Sequence, residues 1–276
     1  MYATDPILSL HVLDTAINTQ ATSILRLSTG LQINRAADNP SGMIVAANIR
    51  AVLSVLDAQS RGYERADAYA STADSALGEA SSMLADAHAL TISAANTGAL
   101  SDDELDAMQL ELDTIVQGVD RIGQTTEFAS TPVFDGDAVI STGDDSIRLD
   151  ELSSTTLGVI EIDGEIYSLA DVASGGSADL NANPELAQQI IAAAQDDLAT
   201  RRGELGAFQS HAIAPGLHAT SDALRDLGGA LSIIADTNYA SETASLTRAS
   251  VLSAGSIASL ALASAISRGL LPLLAP

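Results

Sequence analysis

Four histidines, 36 carboxylates and 12 basic residues are the groups in this chain that could perform acid–base, metal or ionic chemistry. Their spacing decides whether they do. His211 and His218 stand seven apart, which would put them on one helix face, but Pro215 intervenes, and His11 and His88 are isolated. Asp135-Gly136-Asp137 and Asp144-Asp145 have the acidic, glycine-containing character of a calcium loop. Val139 falls where a third oxygen ligand is needed, however, and the twelfth position from Asp135 is Ser146 rather than Glu, so these residues read as turns. Gly175-Gly176 and Gly228-Gly229 lack P-loop or dinucleotide context, and no Gly-x-Ser-x-Gly elbow occurs. Glu64, Asp67 and Glu79 lie off the apolar positions of a helical pattern, as solvated charges do. With no Cys there is no thiol catalysis, disulfide framework or thiolate metal site. The reading is of a chain that is not an enzyme, with no catalytic, cofactor-binding or metal residue and no cofactor.

Charge narrows the partners. The formal net charge is −24, and all 12 basic residues are Arg. Nucleic acid needs clustered positive charge and is not expected as a partner. A polybasic membrane-surface mode is disfavoured for the same reason. Of the 276 residues 49 are Ala, none is Trp and only three are Phe, a composition that suits closely packed long helices. Ala249–Ser267 runs 19 residues without a charge, the length of a membrane span. Six Ala, six Ser and one Gly within it suit a helix buried against other helices better than one in lipid, so no membrane is expected.

The elements follow from periodicity. Ile49, Val52, Leu56, Gln59, Tyr63, Ala66, Ala70, Ala73, Leu77, Ala80, Leu84 and Ala87 step by three and four, with Gln59 alone polar. A helix from about Gly42 to Asn96 is expected, then a break at Asn96-Thr97-Gly98 and a capping box at Ser101 and Glu104. Leu105, Met108, Leu112, Ile115, Val119 and Ile122 continue the stepping, and the short turn implies an antiparallel pair. Nearer the start, Leu10, Leu13, Ile17, Gln20, Ile24, Leu27 and Leu31 form a third seam, interrupted at Gly30 and again at Asp38-Asn39-Pro40-Ser41-Gly42. Phe134–Ala178 is rich in Gly, Asp, Ser and Thr, and Asp163-Gly164 between the runs Thr156–Ile162 and Glu165–Leu169 signals a β-hairpin. Helix resumes after Pro184, and Pro215 predicts a kink or a helix restart. The fold class is mainly α: long antiparallel coiled-coil helices from both chain ends with a small β-hairpin insert.

Several stretches then resemble one family. Arg26-Leu27-Ser28-Thr29-Gly30-Leu31-Gln32-Ile33-Asn34-Arg35 followed by Ala37-Asp38-Asn39-Pro40-Ser41-Gly42 is similar to the RLSSGLRIN-like stretch and Pro-Gly link of bacterial flagellin. Thr125-Thr126-Glu127-Phe128 resembles the family's segment before an Asn-Gly turn, here altered to Ala-Ser-Thr-Pro. The stretches 149–158, 202–209 and 235–242, with Leu246-Thr247-Arg248-Ala249, continue the likeness in order.

The resemblance implies a secreted, extracellular structural subunit of the flagellar filament, in a minimal form with a short central region. It implies three parts: 1–33 with 238–276 as terminal helices lining an inner tube, 34–133 with 180–237 as a coiled-coil shell, and 134–179 as a short hairpin or variable segment. The implied partners are the chain itself in a helical homopolymer, a flagellar export chaperone and the type III export apparatus, and hook-associated and cap proteins. A hook–filament junction protein of the same family and an unrelated tail-anchored helical membrane protein are the alternatives. Terminal helices of Ala, Ser, Gly and aliphatics cannot bury their apolar surface within one subunit. Self-assembly is therefore assigned to Leu10, Leu13, Ile17, Ile24 and Leu27 near the start and Leu252, Ile257, Leu260, Ile266, Leu270 and Leu271 near the end.

Overall fold

The computed structural model describes residues 6–95, 101–143 and 145–270, with backbone only for 6 and 267–270. The expected break at Asn96-Thr97-Gly98, the Asp144 position and Leu271 lie outside the described residues. Among the described residues six α-helices carry the fold: α1 Pro6–Thr29, α2 Pro40–Ala94, α3 Asp102–Thr125, α4 Pro184–Phe208, α5 Ala214–Ala235 and α6 Tyr239–Leu270. They form two compact units. One comprises the residues up to Leu56 with those from Asp222 onward; the other is Asp57–Ser221.

The unit Asp57–Ser221 holds the main core. On α2 the positions Ala66, Ala70, Ala73, Leu77, Ala80, Leu84 and Ala87 are all 5% exposed or less, as the three-four stepping requires. Alternating Ala with Leu lets neighbouring helices approach closely, and each buried Leu contributes about 1.5–3 kcal/mol of transfer free energy. Toward its start the seam departs from the expected one. Leu53 and Ser60 are half-buried where Val52 and Gln59 are exposed, so the stripe slips by one residue ahead of Tyr63. The polar Gln59 thus never had to be accommodated.

Helix α3 starts at the expected capping box: Glu104 accepts from the Ser101 N–H at 2.8 Å, and the Ser101 hydroxyl faces the Glu104 N–H. Leu112, Ile115 and Val119 are buried in the same core cluster as the Leu and Ala stripe of α2 and Ile190, Ile191 and Leu198 of α4. At Gly123 any Cβ would collide with the carbonyl of Leu152, so the central segment lies directly on the α3 backbone. Pro215 is absorbed rather than broken around. The chain leaves α4 through a π-turn at Gln209–Ile213, whose wider hydrogen bonding precedes the missing proline N–H, and α5 restarts at Ala214. Gly216 leaves room there for the Tyr63 ring, which a side chain would strike.

The expected hairpin is present, with β5 Ile160–Ile162 antiparallel to β6 Glu165–Tyr167 and Asp163 and Gly164 at φ 57° and 85°. It is shorter than the sequence runs because Ser153–Leu157 forms a turn closed by the Leu157 N–H to the Ser153 carbonyl. Two further hairpins were not expected: β1 Glu127–Phe128 with β2 Thr131–Pro132, and β3 Val139–Ser141 with β4 Ser146–Arg148. The central segment is no loose insert. Ile140, Leu149, Leu152, Leu157, Leu169 and Val172 are buried in the core.

Carboxylates pin that segment down. Asp113 accepts from the Ser174 N–H at 2.7 Å and Asp120 from the Ser154 N–H at 2.6 Å, both projecting from α3. Asp197 on α4 accepts from Gly158 at 3.0 Å. Buried Gln109 bridges the Leu180 N–H and the Val172 carbonyl. Asp135, considered above for calcium, accepts from the Asp137 N–H at 3.0 Å and shapes a turn.

In the other unit α1 ends at Gly30, whose φ of 72° and N–H to the Arg26 carbonyl make a left-handed cap. Asn39 then caps α2, its side-chain oxygen accepting from Gly42 at 2.9 Å, with Pro40 in the first turn. This is the physical content of the Asp38-Asn39-Pro40-Ser41-Gly42 link. Asp38 supports it by accepting from Arg35 and Asn34, and these backbone hydrogen bonds, Arg35's first, hold its carboxyl below the ordinary range.

Candidate assembly surface

Helices α1 and α6 lie antiparallel, and small residues make their seam. Ala16 and Ser23 on α1 and Ala249 and Ser256 on α6 are each 8% exposed or less, spaced by seven in both helices. Polar contacts fix the register along the pair. Ser9 and Ser259 hydroxyls lie 3.4 Å apart, Gln20 donates to Ser250 at 2.7 Å, and Ser23 donates to Glu242 at 2.6 Å. Arg26 pairs with Glu242 at 3.6 Å. Beyond the helix ends, Gln32 donates to the Ala235 carbonyl at 2.7 Å and Thr237 to the Gly30 carbonyl at 2.8 Å. The Tyr239 hydroxyl closes over Gly30, where a Cβ would meet it at 3.0 Å.

With small residues inside, the large aliphatics are left outside. Leu10, Ile17 and Ile24 remain 54%, 50% and 55% exposed, and Leu252, Ile257 and Ile266 are 48%, 55% and 51% exposed. Leu13, Leu27 and Leu260 are half-buried along the seam. Leu270 is described in backbone only, as the last residue of α6. The expected α1 seam is therefore corrected: Leu13, Gln20 and Leu27 face α6, but Ala16 and Ser23 replace Ile17 and Ile24 beside them. Bulk misled the reading. The repeat of seven from Ala16 to Ser23 and from Ala249 to Ser256 was the available signal, and the Ser23–Arg26–Glu242 cluster had none.

Charge is divided unevenly between the two units. The unit of both chain ends has seven carboxylates and six Arg, a net −1, whereas Asp57–Ser221 has 29 and six, a net −23. Asp86 is exposed there and His88 half-buried. Helices α2 and α6 are, by length and composition, apolar enough to cross a bilayer. In α6 Ala249 and Ser256 are buried in the seam with α1, while most of its other Ser and Ala positions are exposed.

This chemistry is adhesive rather than reactive. Among the described residues no three His, Asp or Glu side chains gather as metal ligands. A model of the bacterial flagellin N-terminal helical region matches residues 10–138. The flagellar filament 30.7 kDa core protein of Treponema maltophilum is 28% identical over 91% of each chain. Flagellin of Bacillus subtilis is 26% identical over 90% of each. Flagellin of Halalkalibacterium halodurans is 29% identical over 90% of this chain and 89% of its own. Along almost its whole length the chain is thus similar to a flagellar filament core protein and two flagellins, and its two ends pair and keep their large aliphatics outward.

Proposed function

We propose that this chain is a structural subunit that polymerises into the bacterial flagellar filament through the paired terminal helices. The observation that carries the assignment is the inverted packing of α1 on α6, small residues inside and large aliphatics outside. An apolar surface so placed is stabilised only when another subunit covers it. Leu10, Leu13, Ile17, Ile24, Leu27, Leu252, Ile257, Leu260 and Ile266, with Leu270 and Leu271 beyond, are the proposed assembly residues. The half-buried members hold the pair together, and the exposed members face the neighbours.

In the filament the proposed layers are the terminal helices 1–33 and 238–276 inside, residues 34–133 and 180–237 around them, and 134–179 outermost. The proposed route is secretion through the type III export apparatus, guarded by an export chaperone, with hook-associated and cap proteins at the filament's ends. The filament proteins matched along most of the chain favour neither a junction protein nor a tail-anchored one.

Purified full-length chain should form filaments visible by electron microscopy, and deletion of 249–276 should abolish them while circular dichroism retains most of the helix signal. Filaments of normal appearance from the truncated chain would remove the terminal helices from assembly.

A further inference from the structure

The two flanks of the α1–α6 pair are complementary to each other, and each carries a charge, opposite in sign, that has no ion-pair partner among the described residues. On α1, Leu10, Asp14, Ile17, Ala21 and Ile24 step by four and three, the spacing of a coiled-coil stripe, and every one is exposed. Asp14 interrupts this apolar stripe. Its carboxylate accepts only from Asn18, at 3.3 Å, and among the described residues no cation comes within ion-pair distance.

The other flank carries the reverse. A groove of about 460 Å³ opens beside the seam, lined by His11, Thr15 and Thr19 of α1 and by Arg248 and Leu252 of α6. It continues over the outer face of α6 past Ala244 and Val251. Arg248 is exposed and, among the described residues, has no carboxylate partner. At 100° per residue, Asp14 projects to one side of the buried Ala16 position and Thr15 to the other, so Arg248 and the Asp14 stripe lie on opposite flanks.

We propose that the Leu10–Ile24 stripe of one subunit docks into the Arg248 groove of a second copy of this chain, with Asp14 and Arg248 forming the ion pair that sets the register. This deepens the filament reading and rests on it. Three observations select a second copy as occupant. The stripe offers exposed aliphatics, Leu10, Ile17 and Ile24, and the groove a concave surface with Val251 and Leu252 in its lining. The two charges are opposite. The two faces also sit on opposite flanks of one pair, so their union is head-to-tail and leaves a free stripe and a free groove for the next subunit, the arrangement that propagates a polymer instead of closing a dimer. An ion pair in an otherwise apolar contact adds little net energy but penalises wrong registers, which would bury one charge alone.

The test is a charge swap in the full-length chain, read as the critical concentration for polymerisation by light scattering. Asp14→Arg and Arg248→Asp should each raise it about ten-fold or more, and the double swap should bring it back to within about three-fold of the parent. Monomer helicity by circular dichroism should stay constant throughout. The chain has no native Cys. Filaments co-assembled from Asp14→Cys and Arg248→Cys chains should therefore yield disulfide-linked dimers on mild oxidation, and neither variant alone should. Singles that are harmless, a swap that fails to restore assembly, or mixed filaments without cross-links would each overturn the pairing while leaving the filament function intact. Failure of the parent chain to polymerise would instead strike the functional reading itself.

Discussion

Replacing Glu242 by Ala should loosen the terminal helix pair by an amount that can be worked out from its contacts. Among the described residues Glu242 is the one acceptor for the Ser23 hydroxyl, at 2.6 Å, and Ser23 is 1% exposed, so truncation strands a buried donor. A hydrogen bond to a charged group contributes about 1.5–3 kcal/mol. The Arg26 ion pair at 3.6 Å adds up to about 1 kcal/mol, because both side chains keep some access to water. Arg26 Nε, buried and itself a donor without a partner, offers the Ser23 hydroxyl no acceptor in its place. A net cost of about 2 kcal/mol corresponds to a roughly thirty-fold rise in local opening. Hydrogen exchange of the monomer should show that fall in protection for α1 amides near Ser23, with the amides of α3 unaffected. Glu242→Gln keeps an acceptor and should lose about half as much in free energy. Unchanged protection in Glu242→Ala would mean that small-residue packing alone holds the pair.

Three further outcomes are expected. Ala129 and Ser130 occupy the turn between β1 and β2 at φ 52° and 65°, a region costing a residue with a Cβ about 1 kcal/mol or more; Ala129→Asn with Ser130→Gly should raise Tm by about 2–4 °C in a thermal melt, and no rise would mean the turn is unstrained. Burial pushes the Asp113 carboxyl up, but hydrogen bonds from the Ser174 hydroxyl, Gln109 and the Ser174 N–H outweigh it and leave it below the ordinary range. Its stabilisation is thus present above an unfolded Asp pKa of about 3.9 and lost as pH falls through the lower folded value, so Asp113→Asn should flatten acid unfolding between about pH 4 and pH 2, and an unaltered acid limb would count against it. The critical concentration for polymerisation should fall as NaCl rises from about 0.1 to about 1 M, where the Debye length shrinks from about 10 to about 3 Å; neutralising Glu64, Glu79 and Asp86 should lower it most at the low-salt end, and a salt-independent value would place the charges of Asp57–Ser221 away from subunit contacts.

What could be read beforehand depended on how local the cause was. The capping box at Ser101, the Asp163-Gly164 hairpin and the Ala66–Ala87 stripe are written in a few consecutive residues, and the structure has them in place. The Pro215 disturbance was legible too, although its form as a π-turn just before the proline, next to a Gly216 packed under the Tyr63 ring, was not. The hairpin at Ala129-Ser130 was hidden because neither residue favours positive φ. The central segment looked loose because its polar residues are engaged by distant partners, with Asp113, Asp120 and Asp197 collecting its N–H groups. On α1 the eye follows Ile17 and Ile24, yet at the closest approach of two helices only Ala16 and Ser23 fit. Hydrophobicity marks what must be covered, and size marks where covering is done at close range.

The division of charge, −1 in one unit and −23 in the other, gives the monomer the character of a block polyelectrolyte. Adhesion acts over a few ångströms and belongs to the neutral block, while repulsion reaches across a Debye length and belongs to the anionic one. Between two monomers the anionic blocks repel one another, an effect expected to oppose clumping of a concentrated pool despite the exposed aliphatics. Productive collisions are those that bring neutral blocks together. The acidic half thus acts as an orientation filter on subunit addition, and removing its charge would be expected to speed association while admitting disordered aggregates.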